Sequence, residues 1–356
     1  MKKVGILTFH RSRNYGAVLQ AYALAEALRN LGCEPEIIDY CCLPIKTVLK
    51  LWNPSKNLLH ASKQFVFRFK KKMAFDRFID KWSPMSRKKN IKKDELEYVV
   101  QKYDYLFAGS DQIWNVSLTN NDGTYFLDFD NLKAKKIAYA ASAGDTIKID
   151  EDNIDKIRTF SAVSVREKVL EDYLKTKDIS STVCCDPTLL LEPSIFLSMA
   201  SRRLHKKRYL FLFMIWESEE LISLANDYAR KNDCIVISNK KCTRFFLHCK
   251  PEDFLSWIYY AEGVLTNSFH ASVFSLKFHK PLLADIRKAD GEKNNRIAEL
   301  LLETDCRNCV LDNTNCISKL TYQQIDYNAV DRKLQEKRES SMSWIKDILF
   351  SEKKSE

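Results

Sequence analysis

Val264-Leu-Thr-Asn-Ser-Phe-His-Ala-Ser-Val-Phe-Ser-Leu-Lys-Phe-His-Lys-Pro-Leu-Leu-Ala-Asp-Ile286 reads as strand, sharp turn, helix and second strand. Residues 264–266 are a short apolar run. Asn267 and Ser268 follow, both good N-cap residues whose side-chain oxygens accept from the free amides of a first helical turn. Phe269, Val273 and Leu276 recur at helical spacing, Lys280-Pro281 ends the helix, and an extended run begins at Leu282. A helix opening directly after a buried strand aims unpaired N–H groups and a positive dipole end past the strand, where a phosphate or carboxylate is favoured. His270 lies in that first turn, placed to donate to or protonate such a group. The plainer reading is a structural unit with an incidental histidine, and the rest of the chain has to decide between the two.

Working outward, residues 4–9 form an apolar opening strand, followed by the loop His10-Arg-Ser-Arg-Asn-Tyr-Gly16 and an amphipathic helix over 17–30. Gly32 ends that helix, and residues 36–40 read as the next strand. This is the start of a doubly wound sheet, but its loop lacks GxGxxG. Only Gly16 allows close backbone approach, and Asn14 and Tyr15 stand at the strand's carboxyl end. Further strand-plus-loop units are read at 102–109, 125–129, 136–144, 161–166 and 183–186, each running out into a polar cluster. In an open parallel sheet that edge is the ligand edge. After helix and basic linker over 191–207, a second α/β set begins with Tyr209-Leu-Phe-Leu-Phe-Met-Ile-Trp216. It continues through a helix at 221–231, a strand at 234–238, a helix at 251–260, the opening stretch, and a helix at 295–304. A long charged helix over 331–350 closes the pattern. The division expected is residues 1–200 and 201–325 as two similar Rossmann-like lobes, with 326–356 as a C-terminal helix.

The 356 residues carry a net charge of +10, yet the segment from Lys46 to Lys93 holds fifteen Lys or Arg against two Asp or Glu, leaving −3 for everything else. Within it Phe65, Phe69, Met73, Phe75, Phe78 and Trp82 interleave with the cations at helical spacing. The expectation is a basic amphipathic helical insertion in the first lobe, packed by its apolar face. The sharper alternative is peripheral contact with the inner membrane surface or a lipid-linked molecule. No nucleic-acid motif accompanies the charge, so no nucleic-acid partner is expected. No apolar run approaches the roughly eighteen residues of a membrane span, and Lys2-Lys3 does not open a signal peptide. Eleven scattered cysteines point to reduced thiols and a cytoplasmic protein. Cys306, Cys309 and Cys316 lack a fourth ligand at zinc spacing, so no metal is expected.

The motifs, taken in order, resemble the polysaccharide pyruvyl transferase family. They are Asn14-Tyr-Gly-Ala-Val-Leu-Gln-Ala-Tyr-Ala-Leu24, the segment around Phe75-Asp-Arg-Phe78, Tyr103-Asp-Tyr-Leu-Phe-Ala-Gly-Ser-Asp-Gln-Ile-Trp-Asn115, Tyr139-Ala-Ala-Ser142, Ser164-Val-Arg-Glu167, Cys185-Asp-Pro-Thr-Leu189, and Thr266-Asn-Ser-Phe-His270 with Lys280-Pro281. They cover roughly residues 4–300. The resemblance implies a two-lobed architecture like that of the glycosyltransferase-B enzymes. It also implies transfer of an enolpyruvyl unit from phosphoenolpyruvate to the hydroxyls of a cell-surface polysaccharide sugar or its lipid-linked repeat unit, giving a pyruvate ketal with no further cofactor. Such chemistry needs cations and oriented amides for the donor's two anionic groups, an acid for its methylene carbon, and a base for a sugar hydroxyl.

With the resemblance in hand, His270, Asp111 and Arg166 are expected in catalytic roles: proton donor or phosphate ligand, base or hydroxyl acceptor, and bidentate anion clamp. Asn14, Tyr15, Gly16, Ser110, Ser142, Asn267, Ser268, Lys280 and Arg296 are expected to bind substrate, in a site between the lobes. Asp111 reads equally as a turn aspartate, and Lys280 equally as a helix C-terminal lysine. One departure stands out. Members of the family commonly carry Arg two residues before the histidine, where this chain has Ser268. Arg287, Lys293 or Arg296 are candidates to compensate. The alternative is a nucleotide-sugar-dependent glycosyltransferase on the same fold, and a non-catalytic binding lobe is a third reading.

Overall fold

The computed structural model describes residues 1–50, 58–144, 147–240, 242–287, 294–311, 320 and 325–351. The chain divides into two compact units, one of Met1–Leu191 with Lys337–Glu356, the other of Glu192–Glu336. The first change of unit therefore falls at Leu191, nine residues before the expected boundary at 200. The C-terminal helix Tyr327–Phe350 is shared by the two units, rather than standing apart.

The first unit is built on β1 (Lys3–Leu7), β2 (Glu34–Ile37), β3 (Tyr105–Asp111), β4 (Lys135–Ala141), β5 (Ala162–Val165) and β6 (Thr182–Val183). All are parallel, in the spatial order β2-β1-β3-β4-β5-β6. The second contains β7 (Tyr209–Phe213), β8 (Ile235–Ser238), β9 (Gly263–Thr266) and β10 (Leu282–Ala284), also parallel, ordered β10-β9-β7-β8. Each sheet winds outward from its first strand and then jumps to that strand's other side. The switch points are β1/β3 and β7/β9, and ligands of open α/β sheets bind outside the carboxyl ends of strands at such points.

The strands read as they do because both faces are covered. Val4, Ile6 and Leu7 of β1 are fully buried, the continuous apolar pattern of a parallel sheet. The helix Tyr15–Asn30 is buried almost all round, because the sheet covers one side and the helices Leu58–Trp82 and Pro187–Leu190 cover others. Tyr15 packs on Phe75 with ring centroids 5.0 Å apart, and Tyr22 on Trp82 at 6.5 Å. In β7 the alternation of aromatic and aliphatic residues separates two layers. Phe211 and Phe213 face Phe245 and Phe254. Leu210, Leu212 and Met214 join Leu221, Ala225, Leu265 and Leu283.

Two expectations are corrected. Strand β2 starts earlier than residues 36–40, pairing with β1 from Glu34, and stops earlier because from Ile37 onward the chain pairs with the end of the basic segment. Ile37 N donates to the Pro84 carbonyl (2.7 Å), Ser86 N to the Ile37 carbonyl (2.9 Å) and Ile91 N to the Asp39 carbonyl (2.9 Å). Residues 125–129 are not a strand. Asp122 caps a 3-10 turn over Gly123–Phe126, accepting from Thr124 N at 3.1 Å. Leu127 closes the turn at φ +51°, in the left-handed region, which an extended strand excludes.

The basic segment contains the single long helix Leu58–Trp82. Its later half buries Phe75, Phe78 and Ile79, whereas Val66 is 64% exposed and Phe69 47%. Among the described residues, no helix is long and apolar enough to cross a membrane. Among the described residues ten of the eleven cysteines are present, all free thiols, and no group of three or more metal-ligating side chains is found. Cys316 and Lys293 lie outside the described residues.

Candidate active site

At the end of β9, Thr266 Oγ1 donates to the Phe213 carbonyl (2.5 Å) and accepts from Ser268 N (3.0 Å). Asn267 is fully buried. Its Oδ1 accepts from Ile215 N (2.7 Å), and its Nδ2 donates to the Trp216 carbonyl (2.9 Å). The amide thus ties together the loops leaving β7 and β9, on either side of the switch point. Ser268 is the N-cap, its Oγ accepting from Ala271 N at 3.5 Å. His270 sits in the first turn of Phe269–Lys277, 8% exposed and edge-on to Phe269 at 5.1 Å. The sequence reading of this stretch and the structure agree element for element.

The neighbouring strand adds charge at the same edge. Asp285, just past β10, accepts from Arg287 N (3.1 Å), Arg287 Nε (2.9 Å) and Ser218 Oγ (2.9 Å). Arg287 also meets Glu220. Hydrogen bonds to Asp285 and Glu220 raise the Arg287 guanidinium further above its ordinary value. Arg296 is half-buried in the first turn of Asn295–Glu303, the helix that follows β10.

Lys280 does not join this group. It follows the C-terminal end of Phe269–Lys277 and precedes β10, so it lies at the opposite edge of the sheet, beyond about 10 Å of helix rise from His270. Its ammonium lies 5.4 Å from the centre of the Tyr259 ring, and burial lowers its basicity. The helix-terminal lysine is the role this geometry gives it.

In the first unit, Ser110, Asp111, Ser142 and Arg166 converge at the ends of β3, β4 and β5. Gly109 adopts φ +123°, and a Cβ there would stand 2.2 Å from the Tyr139 carbonyl oxygen, so only glycine lets β3 approach β4 this closely. Ser110 Oγ donates to the Ala140 carbonyl (2.7 Å), and Thr8 Oγ1 donates to the Ser110 carbonyl (3.0 Å). Ser142 Oγ donates to Glu167 Oε1 (2.8 Å) and accepts from Gly144 N (3.1 Å). Both hydroxyls are thus turned inward.

The guanidinium of Arg166 is 4% exposed. Its Nε meets Glu167 Oε1 at 3.0 Å, one Nη meets Asp186 Oδ2 at 3.0 Å, and Asp111 Oδ1 lies 3.9 Å away. Burial opposes the charge, but Glu167, Asp186 and Asp111 outweigh it and raise the guanidinium above its ordinary value. Asp186 is anchored in turn by Thr188, whose N and Oγ1 donate to its other oxygen at 3.0 and 2.7 Å. The fork expected to grip a ligand's anion therefore holds protein carboxylates. Three carboxylates around one cation leave a net negative cluster, suited to accepting protons or hydrogen bonds from hydroxyl groups rather than to holding phosphate. Asp111 is the most exposed of the three carboxylates, at 13%.

At the end of β1, Asn14 is exposed and caps Tyr15–Asn30 through Gly16 N (3.0 Å), while Tyr15 and Gly16 are buried. A neighbouring group was missed in the sequence. His10 lies between the Thr8 carbonyl (Nδ1, 3.1 Å) and Asp39 Oδ1 (Nε2, 3.0 Å). Arg11 grips Asp39 with both arms of its fork, at 2.7 and 2.6 Å. Asn90 N adds a third donor at 3.0 Å. The available signal was that His10 and Asp39 follow neighbouring strands.

Burial by itself raises the Asp39 carboxyl, but the bonds from Arg11 and His10 overcome it and hold the group far below the usual carboxylate range. Asp39→Asn is accordingly expected to destabilise the protein by about 1–3 kcal/mol at neutral pH, since it removes the buried charged acceptor shared by Arg11 and His10 while Arg11 keeps Asp76. A depressed carboxyl contributes its stability above its unfolded pKa of about 4 and loses it as pH falls toward the folded value. The gap between wild type and variant should therefore narrow below about pH 4. Urea unfolding across pH tests this, and a gap constant with pH would refute the charge account.

Two parallel sheets, each wound to both sides of its first strand and each carrying polar residues at its carboxyl edge, define a protein of two Rossmann-like lobes of the glycosyltransferase-B kind. A putative UDP-N-acetylglucosamine 2-epimerase from Listeria monocytogenes is similar over 100% of this chain and 98% of its own, with 9% identity and a TM-score of 0.55. UDP-GlcNAc 2-epimerase from Methanocaldococcus jannaschii, solved in complex with UDP-GlcNAc and UDP, is similar over 98% and 99%, with 15% identity and a TM-score of 0.50. At these identities the likeness is one of fold. The chain belongs to the polysaccharide pyruvyl transferase family, whose model matches residues 14–284. It is a transferase by that membership. No curated protein matches the sequence.

Proposed function

We propose that this transferase moves an enolpyruvyl group from phosphoenolpyruvate to two hydroxyls of a sugar in a cell-surface polysaccharide or its lipid-linked repeat unit. The observation that carries the reading is the pairing of family membership with the helix start at Ser268 and His270, which ends at a switch point. In the transfer, the donor's methylene carbon gains a proton and becomes a methyl group. One sugar oxygen bonds to the adjacent carbon, and its proton is released. The second sugar oxygen bonds to the same carbon as the bond to the phosphate oxygen breaks, and its proton leaves with the phosphate.

Charge divides the labour. The second lobe offers helix-terminal amides, His270 and Arg296, which suit the donor's phosphate and carboxylate. The first lobe offers Asp111 beside Glu167 and Asp186, which suits sugar hydroxyls. His270 is assigned proton donation to the methylene carbon, and Asp111 the hydroxyl proton.

Ser268, standing where the family commonly has arginine, motivates the competing reading, transfer from a nucleotide sugar. Incubating the protein with phosphoenolpyruvate and a panel of acceptor saccharides should release phosphate and yield an acid-labile ketal. If phosphate is not released across the panel, while nucleoside diphosphates but not phosphoenolpyruvate raise the melting temperature, the glycosyltransferase reading replaces this one.

A further inference from the structure

Beside the start of Tyr15–Asn30 the fold gathers the cations Arg13, Arg68 and Lys71. Arg13 Nη1 donates across 55 residues of sequence to the Arg68 carbonyl at 3.3 Å, which brings the loop after β1 against the helix Leu58–Trp82. Arg68 in turn donates to the Lys50 carbonyl at 3.4 Å. Lys71 holds its ammonium 5.1 Å from the ring centre of Tyr15, the first residue of the helix, and 5.3 Å from that of Phe75. Among the described residues, neither Arg13 nor Arg68 has a carboxylate at ion-pair distance. Asp76, on the same helix as Arg68, is engaged by Arg11 and Lys72. Burial and then the charge of Arg68 lower the basicity of Arg13, against the opposing pull of Asp76.

Such a gathering is unfavourable alone and favourable around an anion. The exposed Val66 and Phe69 belong to the same helical turn as Arg68 and, three residues apart, share a face. Val48, 83% exposed, ends the short helix just before Lys50. Apolar side chains at the border of a cation cluster match an amphiphile: an anionic head with a hydrocarbon tail in a bilayer.

We propose that Arg13, Arg68 and Lys71 bind the phosphate or diphosphate head of a membrane lipid, with Val66 and Phe69 seated in the bilayer surface beside it. That this lipid carries the acceptor sugar rests on the function proposed above; the anion site does not.

Two measurements on the full chain test it. Calorimetry with inorganic pyrophosphate should show binding that Arg13→Gln and Arg68→Gln each weaken by about tenfold, the effect of losing one charge-assisted hydrogen bond. Flotation with phosphatidylcholine vesicles containing phosphatidic acid should capture the wild type and, to a much smaller degree, the double variant Val66→Ser/Phe69→Ser, whose pyrophosphate affinity should be unchanged. These side chains are partly or largely exposed, so melting temperatures should hold and register any misfolding. Absence of pyrophosphate binding, or binding indifferent to both arginine variants, overturns the site. Pyrophosphate binding without vesicle capture overturns the lipid and leaves a soluble phosphate ligand. Neither measurement depends on turnover, so a failed transfer reaction with pyrophosphate binding intact counts only against the proposed chemistry.

Discussion

Arg166→Met should destabilise the first lobe by about 3–5 kcal/mol, a large part of the roughly 5–15 kcal/mol that holds an ordinary domain together. The change removes the one cation from among Glu167, Asp186 and Asp111, of which the first two are 6% and 0% exposed. Methionine fills much of the same volume, so the loss measures uncompensated buried charge rather than a cavity. The companion variant Arg166→Met/Glu167→Gln/Asp186→Asn should recover a substantial part of the loss, because neutral amides tolerate burial far better than carboxylates. Urea unfolding of variants that keep Trp114, fully buried in this lobe, as the sole tryptophan reads both effects by fluorescence. A single variant within about 1 kcal/mol of wild type would show that Arg166 is not the lock of this cluster. It would return the residue to the role of a ligand clamp.

His270→Gln should lower kcat for pyruvyl transfer by about a hundred- to ten-thousandfold, the range for loss of a general acid, and leave the unfolding midpoint near that of wild type. Glutamine retains a polar donor of similar reach in the first turn of Phe269–Lys277 but cannot deliver a proton. If His270 only holds the donor's phosphate, the same change should raise KM for phosphoenolpyruvate with kcat little altered. Burial of the side chain at 8% exposure makes a folding control necessary, and His270→Asn, one methylene shorter, supplies it. Equal kcat and KM for wild type and both variants would remove His270 from the machinery.

The sheets were legible because both faces of each parallel strand are buried, which writes unbroken apolar runs into the chain, and because strand ends are polar. The turn from β9 into the helix at Ser268 was legible for the same reason: cap, helix and flanking strands are all local in sequence. The partners of Arg166 were not. Whether an arginine at a strand's end meets a ligand or two carboxylates depends on which strands are neighbours, and Asp186 reaches it only because β6 pairs with β5. His10 and Asp39 were lost through a similar step, since reading residues 36–40 as strand placed Asp39 inside the sheet instead of past its edge. Lys280 shows the converse. A residue immediately before a parallel strand belongs to the edge opposite that strand's carboxyl end, so topology alone separates it from His270.

The helix Tyr327–Phe350 has a consequence for how the chain matures on the ribosome. Its Ser341 accepts from Cys185 N at 3.0 Å, its Arg338 donates to the Leu189 carbonyl at 3.1 Å, and its Trp344 packs 6.1 Å from Tyr139. The first lobe to be translated is therefore among the last to be finished. Every residue of the other unit is synthesised between β6 and the segment that covers Tyr139. At roughly 5–20 residues per second, the nascent first lobe waits several seconds or more with that flank open before its last helix can cover it.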